Sequence, residues 1–588
     1  MFQRISIFKT YRNIRQTMPS DKLFVFRLSL LAGMVRSLLD LTGLALLFPI
    51  LQILLTPESI KQNAYLLSFY EYGQYADHWE FAFWLMMYAF VFFLFKTVVT
   101  FFLARFQSRT AYGIAEYIAR ERFHSYLSMP YVFYLQNNSG VLMRNFLIIP
   151  FEYGQRIIIP FIQLANELLL LILLLTVIII YKPIMFLALA VIMTPVIYYY
   201  QKRLKHYLND ISVRKDATGK HLFKHSSQSM SLYREIMLHN KEDFFESKFR
   251  QGAIELAELN ARITTINEFS PKMTELIAVG GIVVVFIISL VIINSNVEFI
   301  QFLILFTLLI SRLLPSANRI LLQSSTIRSN EYVFDYLKDL IPFIAKKDEQ
   351  EVKTAPIIFE ERITIKDLTF SYEEHQRPLF TRLNMTIRKG SSIGIIGPSG
   401  SGKTTLLHIL LRLLREDSGG IYVDNVQLDH ANKLSWYSLI GYVPQNINLI
   451  DGDFAENIAF GVAAADIDME RVKRVAELAQ LHEFIEKQPD NYRTAIGEGG
   501  LKISGGQRQR VGIARALYHD AQLLIFDEAT SALDVETEEM ITESLRVLNT
   551  RRMTTIVVAH RLQTLRYCDE IYSIEQGKLS DKMKYSDL

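Results

Sequence analysis

Gly397-Pro398-Ser399-Gly400-Ser401-Gly402-Lys403-Thr404-Thr405 decides the fold of the C-terminal part of the chain. The apolar run before it, Ser392-Ile-Gly-Ile-Ile396, reads as a buried strand, and Thr405-Leu-Leu-His-Ile-Leu-Leu-Arg412 after it reads as an amphipathic helix. A glycine-rich loop between a strand and a helix aims backbone N–H groups and the positive helix end at one point, which cradles the phosphates of a nucleotide. Gly397, Gly400 and Gly402 let the backbone approach the anion closely. Lys403 is placed to meet the β and γ phosphates and the Thr404 hydroxyl to hold Mg²⁺. The loop in this setting predicts an α/β P-loop ATPase domain that binds ATP.

Three further stretches fit the same chemistry. Leu523-Leu-Ile-Phe-Asp527-Glu528 is a hydrophobic strand ending in two carboxylates, the first suited to Mg²⁺ and the second to orienting and deprotonating a water. Ser504-Gly505-Gly506-Gln507 runs directly into Arg508-Gln509-Arg510, so a tight backbone turn opens a helix and presents a second anion site. His560 follows the strand-like Thr555-Ile-Val-Val-Ala559, where an imidazole is either structural or meets a γ phosphate.

The rest of the chain is of another character. At 588 residues with 50% hydrophobic side chains, it is too long for one domain and too apolar for an ordinary soluble one. A net charge of +3 gives no general pull toward nucleic acid. Cys568 is the single cysteine, which excludes an internal disulfide, a cysteine-rich metal site and a redox pair, and fits a small packed residue. The start, with Arg4, Lys9, Arg12 and Arg15 among Phe2, Ile5, Phe8 and Ile14, reads as a helix lying on the cytosolic membrane face.

Apolar runs of spanning length fall at about 23–55, 80–104, 157–181, 183–200, 273–294 and 297–322, which predicts six transmembrane helices. The loop at 56–79 carries Glu58, Glu71 and Asp77 against Lys61, whereas 201–271 is rich in Lys202, Arg203, Lys205, Arg214, Lys215, Lys220, Lys224 and Arg234. That bias puts the long loops and both termini in the cytosol, at an inner membrane. The inner loops, 105–156 and 201–271, read as helices continuing beyond the lipid, with Tyr131–Gly140 and Lys220–Ser226 as turn-like contact elements. The outer Ile60–Tyr72 reads as a short aromatic helix in the headgroup layer or as a packed connector. A charged linker, Lys346–Lys353, separates an expected transmembrane domain at 1–345 from an expected nucleotide-binding domain at 346–588.

Arg312 and Arg319 lie seven residues apart in the sixth apolar run, close to one helix face, and charged residues inside a span face protein or water. At ~1.5 Å per residue Arg312 sits about 22 Å below an entry near Val297, with Arg319 near the inner surface. A ladder of guanidinium groups suits phosphate, and pairing or snorkelling is the structural alternative. Arg36 is a third substrate candidate, although Asp40 stands four residues on and is placed to neutralise it. Lys96 and Glu167 have no assigned role.

In motif order, residues 360–580 resemble the nucleotide-binding domain of ATP-binding cassette transporters. The resemblance implies that Tyr372 stacks on adenine, that Gln445 in Tyr442-Val-Pro-Gln445 links Mg²⁺ to the membrane domain, that Asp534 crosses between nucleotide sites and that His560 is the γ-phosphate switch. Two departures stand out: Ile503 where Leu precedes the signature serine, and Ala495 where exporters carry Glu. A six-span chain with one such domain resembles a half-transporter. The family pattern then implies a homodimer in which each ATP lies between the phosphate loop of one copy and the Ser-Gly-Gly signature of the other.

Arg312-Leu-Leu-Pro-Ser-Ala-Asn-Arg319 and Leu44-Ala-Leu-Leu-Phe-Pro49 resemble bacterial flippases of lipid-linked oligosaccharides within that family. This implies a polyprenyl-pyrophosphate glycan as cargo, with the arginines on the pyrophosphate and the outer-loop helix on the lipid. A peptide, lipid or drug exporter shares the motor. An ATP-gated channel or regulator is permitted by the spans and disfavoured by Glu528, Gln445 and His560 together.

Overall fold

The computed structural model describes residues 7–55, 57, 60, 64–181, 183–292, 296–338, 356–372, 378–429, 431–528, 535–559, 561–580 and 582–587. The chain divides into two units, residues 1–129 with 133–349 and residues 130–132 with 350–588.

The first unit is helical. After α1 (Ile7–Gln16) come α2 (Ser20–Leu55), α3 (Ala64–Tyr72) and α4 (His78–Leu127). Then follow α5 (Tyr131–Gln136), whose first two residues count with the second unit, α6 (Ser139–Met143), α7 (Ile149–Tyr153) and α8 (Ile159–Tyr181). The unit continues with α9 (Pro183–Ser231), α10 (Tyr233–Leu238), α11 (Glu242–Ile292), α12 (Asn296–Ser329) and α13 (Tyr332–Lys338). Among the described residues Ser20–Leu54, His78–Leu127 and Ser139–Thr176 are long and apolar enough to cross a membrane. Only 6% of the apolar window of His78–Leu127 is buried, so its Phe and Leu side chains point outward, as they do where lipid is the solvent. At 50 residues that helix runs about 75 Å, far beyond the ~30 Å hydrocarbon layer, so the apolar part continues into a polar extension.

Prolines shape the third span. Two π-helical turns, Arg144–Ile148 and Gly154–Ile158, flank α7. Each ends with an isoleucine N–H reaching five residues back, Ile149 to Arg144 and Ile159 to Gly154, immediately before Pro150 or Pro160. A proline has no N–H to give and its ring crowds the carbonyl four residues earlier, so the wider turn absorbs the misfit. Around this segment Ile14, Phe26, Ile118, Tyr153, Phe161 and Phe334 form a buried cluster that ties α1 and α13 to the bundle.

The outer segment forms α3, with Leu66, Leu67 and Tyr70 packed on Ile53, Ile60 and Phe81 while Tyr65, Phe69 and Tyr72 stay exposed. Lys220–Ser226 is not a turn: it lies inside α9, and the chain turns only at Leu232. Neither Gly nor Pro interrupts 220–226, and the hydroxyls of Ser226 and Ser229 donate to the carbonyls of Leu222 and His225, so the helix has no reason to stop.

The second unit holds two sheets. β1 (Arg362–Phe370), β2 (Phe380–Arg388), β4 (Ser418–Val423) and β5 (Val426–Gln427) form an antiparallel sheet of order β2-β1-β4-β5. β3 (Ser392–Ile396), β6 (Ile440–Val443), β7 (Leu523–Asp527), β8 (Thr554–Val558), β9 (Glu570–Glu575) and β10 (Lys578–Leu579) form the other, of order β10-β9-β3-β8-β7-β6. All its pairings are parallel except β9 with β10. α14 (Lys403–Leu410) follows β3, and α15 (Gly505–Tyr518) precedes β7. The strands read at Ser392–Ile396, in Leu523–Asp527 and at Thr555–Ala559 are present as β3, β7 and β8, and β1, β2, β4, β5, β6, β9 and β10 add to them. β1 escapes a period-two reading because its register shifts between Ile365 and Leu368, where Asp367 takes φ 47°.

Candidate functional site

β3 is buried along nearly its whole length and delivers the chain into the glycine loop. Gly397 has φ 150° and a Cβ there would lie 2.4 Å from the Ile574 carbonyl oxygen. Gly402, at φ 102°, would set a Cβ 2.8 Å from the Phe380 ring. Neither position admits a side chain, whereas Gly400, at φ 78°, faces open space, so the loop bares its backbone on one side. α14 starts at Lys403 and its far end is fixed by the Trp436 indole N–H, which donates to the Leu410 carbonyl at 2.9 Å.

Lys403 is buried and folds back so that Nζ donates to the carbonyls of Gly397 and Pro398 at 2.9 and 3.1 Å. Burial holds its pKa below the ordinary lysine value, against the pull of Glu528 and Asp527. Ser399 and Gly400 make the turn after Pro398, closed by the Ser401 N–H donating to the Pro398 carbonyl at 3.2 Å; Ser401 is buried with its Oγ unbonded among the described residues, and Thr404 is exposed. The Tyr372 hydroxyl and the Thr405 hydroxyl are 2.7 Å apart, while the Tyr372 ring is largely exposed.

Asp527 and Glu528 leave β7 on the side to which Lys403 responds. Burial raises the Asp527 carboxyl pKa, opposed by hydrogen bonds from the hydroxyls of Tyr442, at 3.3 Å, and Thr404. Its Oδ1 is buried without a hydrogen-bond partner among the described residues. A buried bare carboxylate oxygen beside an exposed threonine hydroxyl is an all-oxygen donor set, the kind that suits Mg²⁺. Gln445 follows β6, and its Nε2 donates to Glu528 Oε2 at 2.8 Å. Glu528 sits at φ 49°, a left-handed conformation that non-glycine residues adopt rarely. His560 and Asp534 lie outside the described residues.

Ser504 caps α15 as half of a reciprocal pair. Its hydroxyl accepts from the Gln507 N–H at 3.3 Å, and Gln507 Oε1 accepts from the Ser504 N–H at 2.8 Å. Ser504 is exposed, Gly505 half-buried and Gly506 buried, so the cap faces outward. α15 packs its Val511, Ile513 and Ala514 into one apolar cluster, whereas Leu406, Leu407 and Leu410 of α14 belong to another. The two anion-binding turns are thus built on different cores. Ala495 pairs through its backbone with Asp453, its side chain exposed.

In the first unit the arginines meet acids. Asp40 binds Lys96 Nζ at 2.7 Å through Oδ1 and the Arg312 guanidinium through Oδ2. Arg319 pairs with Glu167 at 2.6 Å. Arg36 is half-buried and forms no ion pair among the described residues, which overturns its expected pairing with Asp40. Both Asp40 oxygens are occupied from α4 and α12, and those tertiary partners displace the local one. Sequence reading also missed Tyr442; only the parallel pairing of β6 with β7 brings it to Asp527.

Residues 380–531 match the ABC transporter family model, and residues 42–314 match that of the ABC transporter transmembrane region. An ATP-dependent lipid A-core flippase from Chromohalobacter salexigens is 30% identical over 411 residues, 69% of this chain and 68% of that one. One from Ralstonia nicotianae is 29% identical over 476 residues, 79% and 78% of the two chains. ABC transporter B family member 29, chloroplastic, of Arabidopsis thaliana is 40% identical, over only 37% of this chain and 34% of that protein. A bacterial Atm1-family ABC exporter solved with ATP bound shares the fold, with TM-score 0.76 over 96% of this chain and 95% of that one at 20% identity. Phosphate loop, paired carboxylates and signature turn on one side and lipid-facing helices on the other are accounted for together: the chain belongs to the ABC transporters, as an exporter-type half-transporter that couples hydrolysis of ATP with Mg²⁺ to transport across a membrane.

Proposed function

We propose that two copies of this chain form a homodimer that flips a lipid-linked oligosaccharide, an amphipathic polyprenyl-pyrophosphate glycan, across the inner membrane, with both termini in the cytosol. The observation that carries a lipid cargo is the similarity along more than two thirds of the chain to proteins named as lipid A-core flippases. The outward aromatics of α3, Tyr65, Phe69 and Tyr72, favour lipid over a soluble peptide.

The dimer reading rests on the signature turn. Ser504 uses one lone pair in its cap and lies exposed, its O–H making no hydrogen bond among the described residues, and its helix is packed on a different core from the phosphate loop. A second copy brings each loop its missing signature. Within each site the backbone of Gly397–Gly402 and Lys403 bind the phosphates, and Tyr372 offers its exposed ring to adenine. Thr404, Asp527 and Gln445 hold Mg²⁺, which supplies neutralisation of the phosphate charge when bound. Glu528 takes the proton of the attacking water, with Gln445 orienting its carboxylate, His560 meeting the γ phosphate and Asp534 crossing between sites. Closure buries ATP, and splitting it places like charges in the interface, so the helical bundles alternate between inward and outward openings.

Arg312 and Arg319 meet the pyrophosphate by exchanging Asp40 and Glu167 for it, and Arg36, without an ion pair, lies on the same span as Asp40. In proteoliposomes, ATP-dependent flipping of a polyprenyl-pyrophosphate glycan is expected, and Arg312→Glu should abolish it while ATP binding persists. Undiminished flipping in Arg312→Glu, or flipping of a drug or peptide alone, defeats the cargo assignment.

A further inference from the structure

In the first unit a cavity of about 560 Å³ opens between α6, α7, α9, α11 and α13. Its volume falls in the range of small-ligand sites, roughly 300–1,000 Å³. One wall is apolar, made by Leu222, Phe223, Met230 and Leu256. The other carries Arg144, Arg156 and Lys215 against Glu152.

These charges are unequally satisfied. Arg144 is engaged, donating to Asp216 at 3.1 Å and to the Tyr336 hydroxyl at 3.0 Å, and Asp216 also holds Lys220 at 3.0 Å. Glu152 accepts from the Tyr332 hydroxyl at 2.8 Å. Arg156 forms no ion pair among the described residues, and its buried Nε has no hydrogen-bond partner. Lys215 is only 9% exposed, and among the described residues the one bond of its Nζ is a 3.5 Å contact with Asn330. Four cations face two carboxylates, and the two cations left over both line the cavity.

A buried charge without a counter-ion is costly, and a protein keeps one where a ligand supplies the missing charge. Burial lowers the Lys215 pKa and the nearby Arg156 charge lowers it further, with Glu152 opposing, so an arriving anion would relieve both cations. The backbone is arranged for this too: Arg144 opens one π turn and Arg156 lies within the other, and both turns exist because of the prolines that follow them.

We propose that this cavity is a binding site for a phosphate-bearing anion, held by Arg156 and Lys215 with its apolar portion on Leu222, Phe223 and Met230. A guanidinium fork and an ammonium lining one cavity match the several oxygens of a phosphate better than a halide. The site is separate from the nucleotide site and independent of the cargo reading, since none of its residues belongs to either. A phospholipid headgroup and a soluble phosphate ester share the chemistry, and the experiment separates them.

Full-length Lys403→Ala protein, with its phosphate loop disabled, is dialysed against labelled inorganic phosphate, and in parallel its retained lipids are weighed by native mass spectrometry from phosphatidylglycerol or phosphatidylcholine nanodiscs. Saturable phosphate binding identifies a soluble ligand class, and retention of phosphatidylglycerol alone identifies a headgroup. In either arm Arg156→Gln should weaken binding by about tenfold or more, the loss of one charge-assisted bond, and Arg156→Lys should restore most of it. An unchanged elution volume shows that the variants are folded. Absence of binding in both arms, or binding that survives the Arg156→Gln, Lys215→Gln double substitution, overturns the site.

Discussion

Gln445 Nε2 donates to Glu528 Oε2 at 2.8 Å, which ties the loop after β6 to the carboxylate after β7. A hydrogen bond to one oxygen fixes the carboxylate plane. Glu528→Gln keeps the shape and removes the base, so ATP binding should persist while steady-state hydrolysis falls by about 10²–10⁴-fold. Gln445→Ala keeps the base and loses its orientation, so its loss should be smaller. Near-normal turnover in Glu528→Gln removes the base assignment.

The left-handed backbone at Glu528, φ 49°, has its own consequence. A β-carbon there costs about 1 kcal/mol relative to glycine. Glu528→Gly and Glu528→Ala should be equally inactive, yet the glycine variant should unfold at the higher temperature. A more stable alanine variant contradicts the strained conformation.

Asp40 is the hub of a partly buried trio with Lys96 and Arg312, their side chains 13%, 17% and 27% exposed. Removing the hub strands two cations, whereas removing either cation leaves a pair. Asp40→Asn should therefore lower the thermal stability of the protein in nanodiscs more than Lys96→Met or Arg312→Gln. Equal losses from the three substitutions would show that the trio does not act as one unit.

Cys568 turns its thiol inward beside the Ser392 hydroxyl at 3.7 Å, and burial pushes its pKa from 9.0 up to about 12. Raising an acid's pKa favours its neutral form, so the native thiolate population at pH 8 drops about a thousandfold relative to the unfolded chain. Because this is the only cysteine, alkylation should be negligible in the native protein and reach one per chain on unfolding. The stabilisation is full below pH 9 and fades as the pH climbs toward 12. Labelling of native protein at the rate of a free thiol refutes the raised pKa.

The nucleotide loop was legible because its chemistry is local. Gly397, Gly402 and Lys403 act through backbone conformation and a helix start, which neighbours in sequence specify. The spans were legible because about twenty consecutive apolar residues have one use in a bilayer. β1 was hidden by its bulge at Asp367, and the turn expected at Lys220–Ser226 failed because charge and polarity do not stop a helix that carries no glycine or proline.

The order of glycines, carboxylates and apolar runs by itself determined that a helical membrane domain is joined to an α/β ATPase, since each signal depends on residues adjacent in the chain. Which charges meet was decided only in three dimensions. Arg36 and Asp40 are one helical turn apart, yet Asp40 turns to Lys96 and Arg312, and Arg319 turns to Glu167. An ion pair away from water forms wherever burial brings opposite charges together, and burial is set by how helices distant in sequence pack.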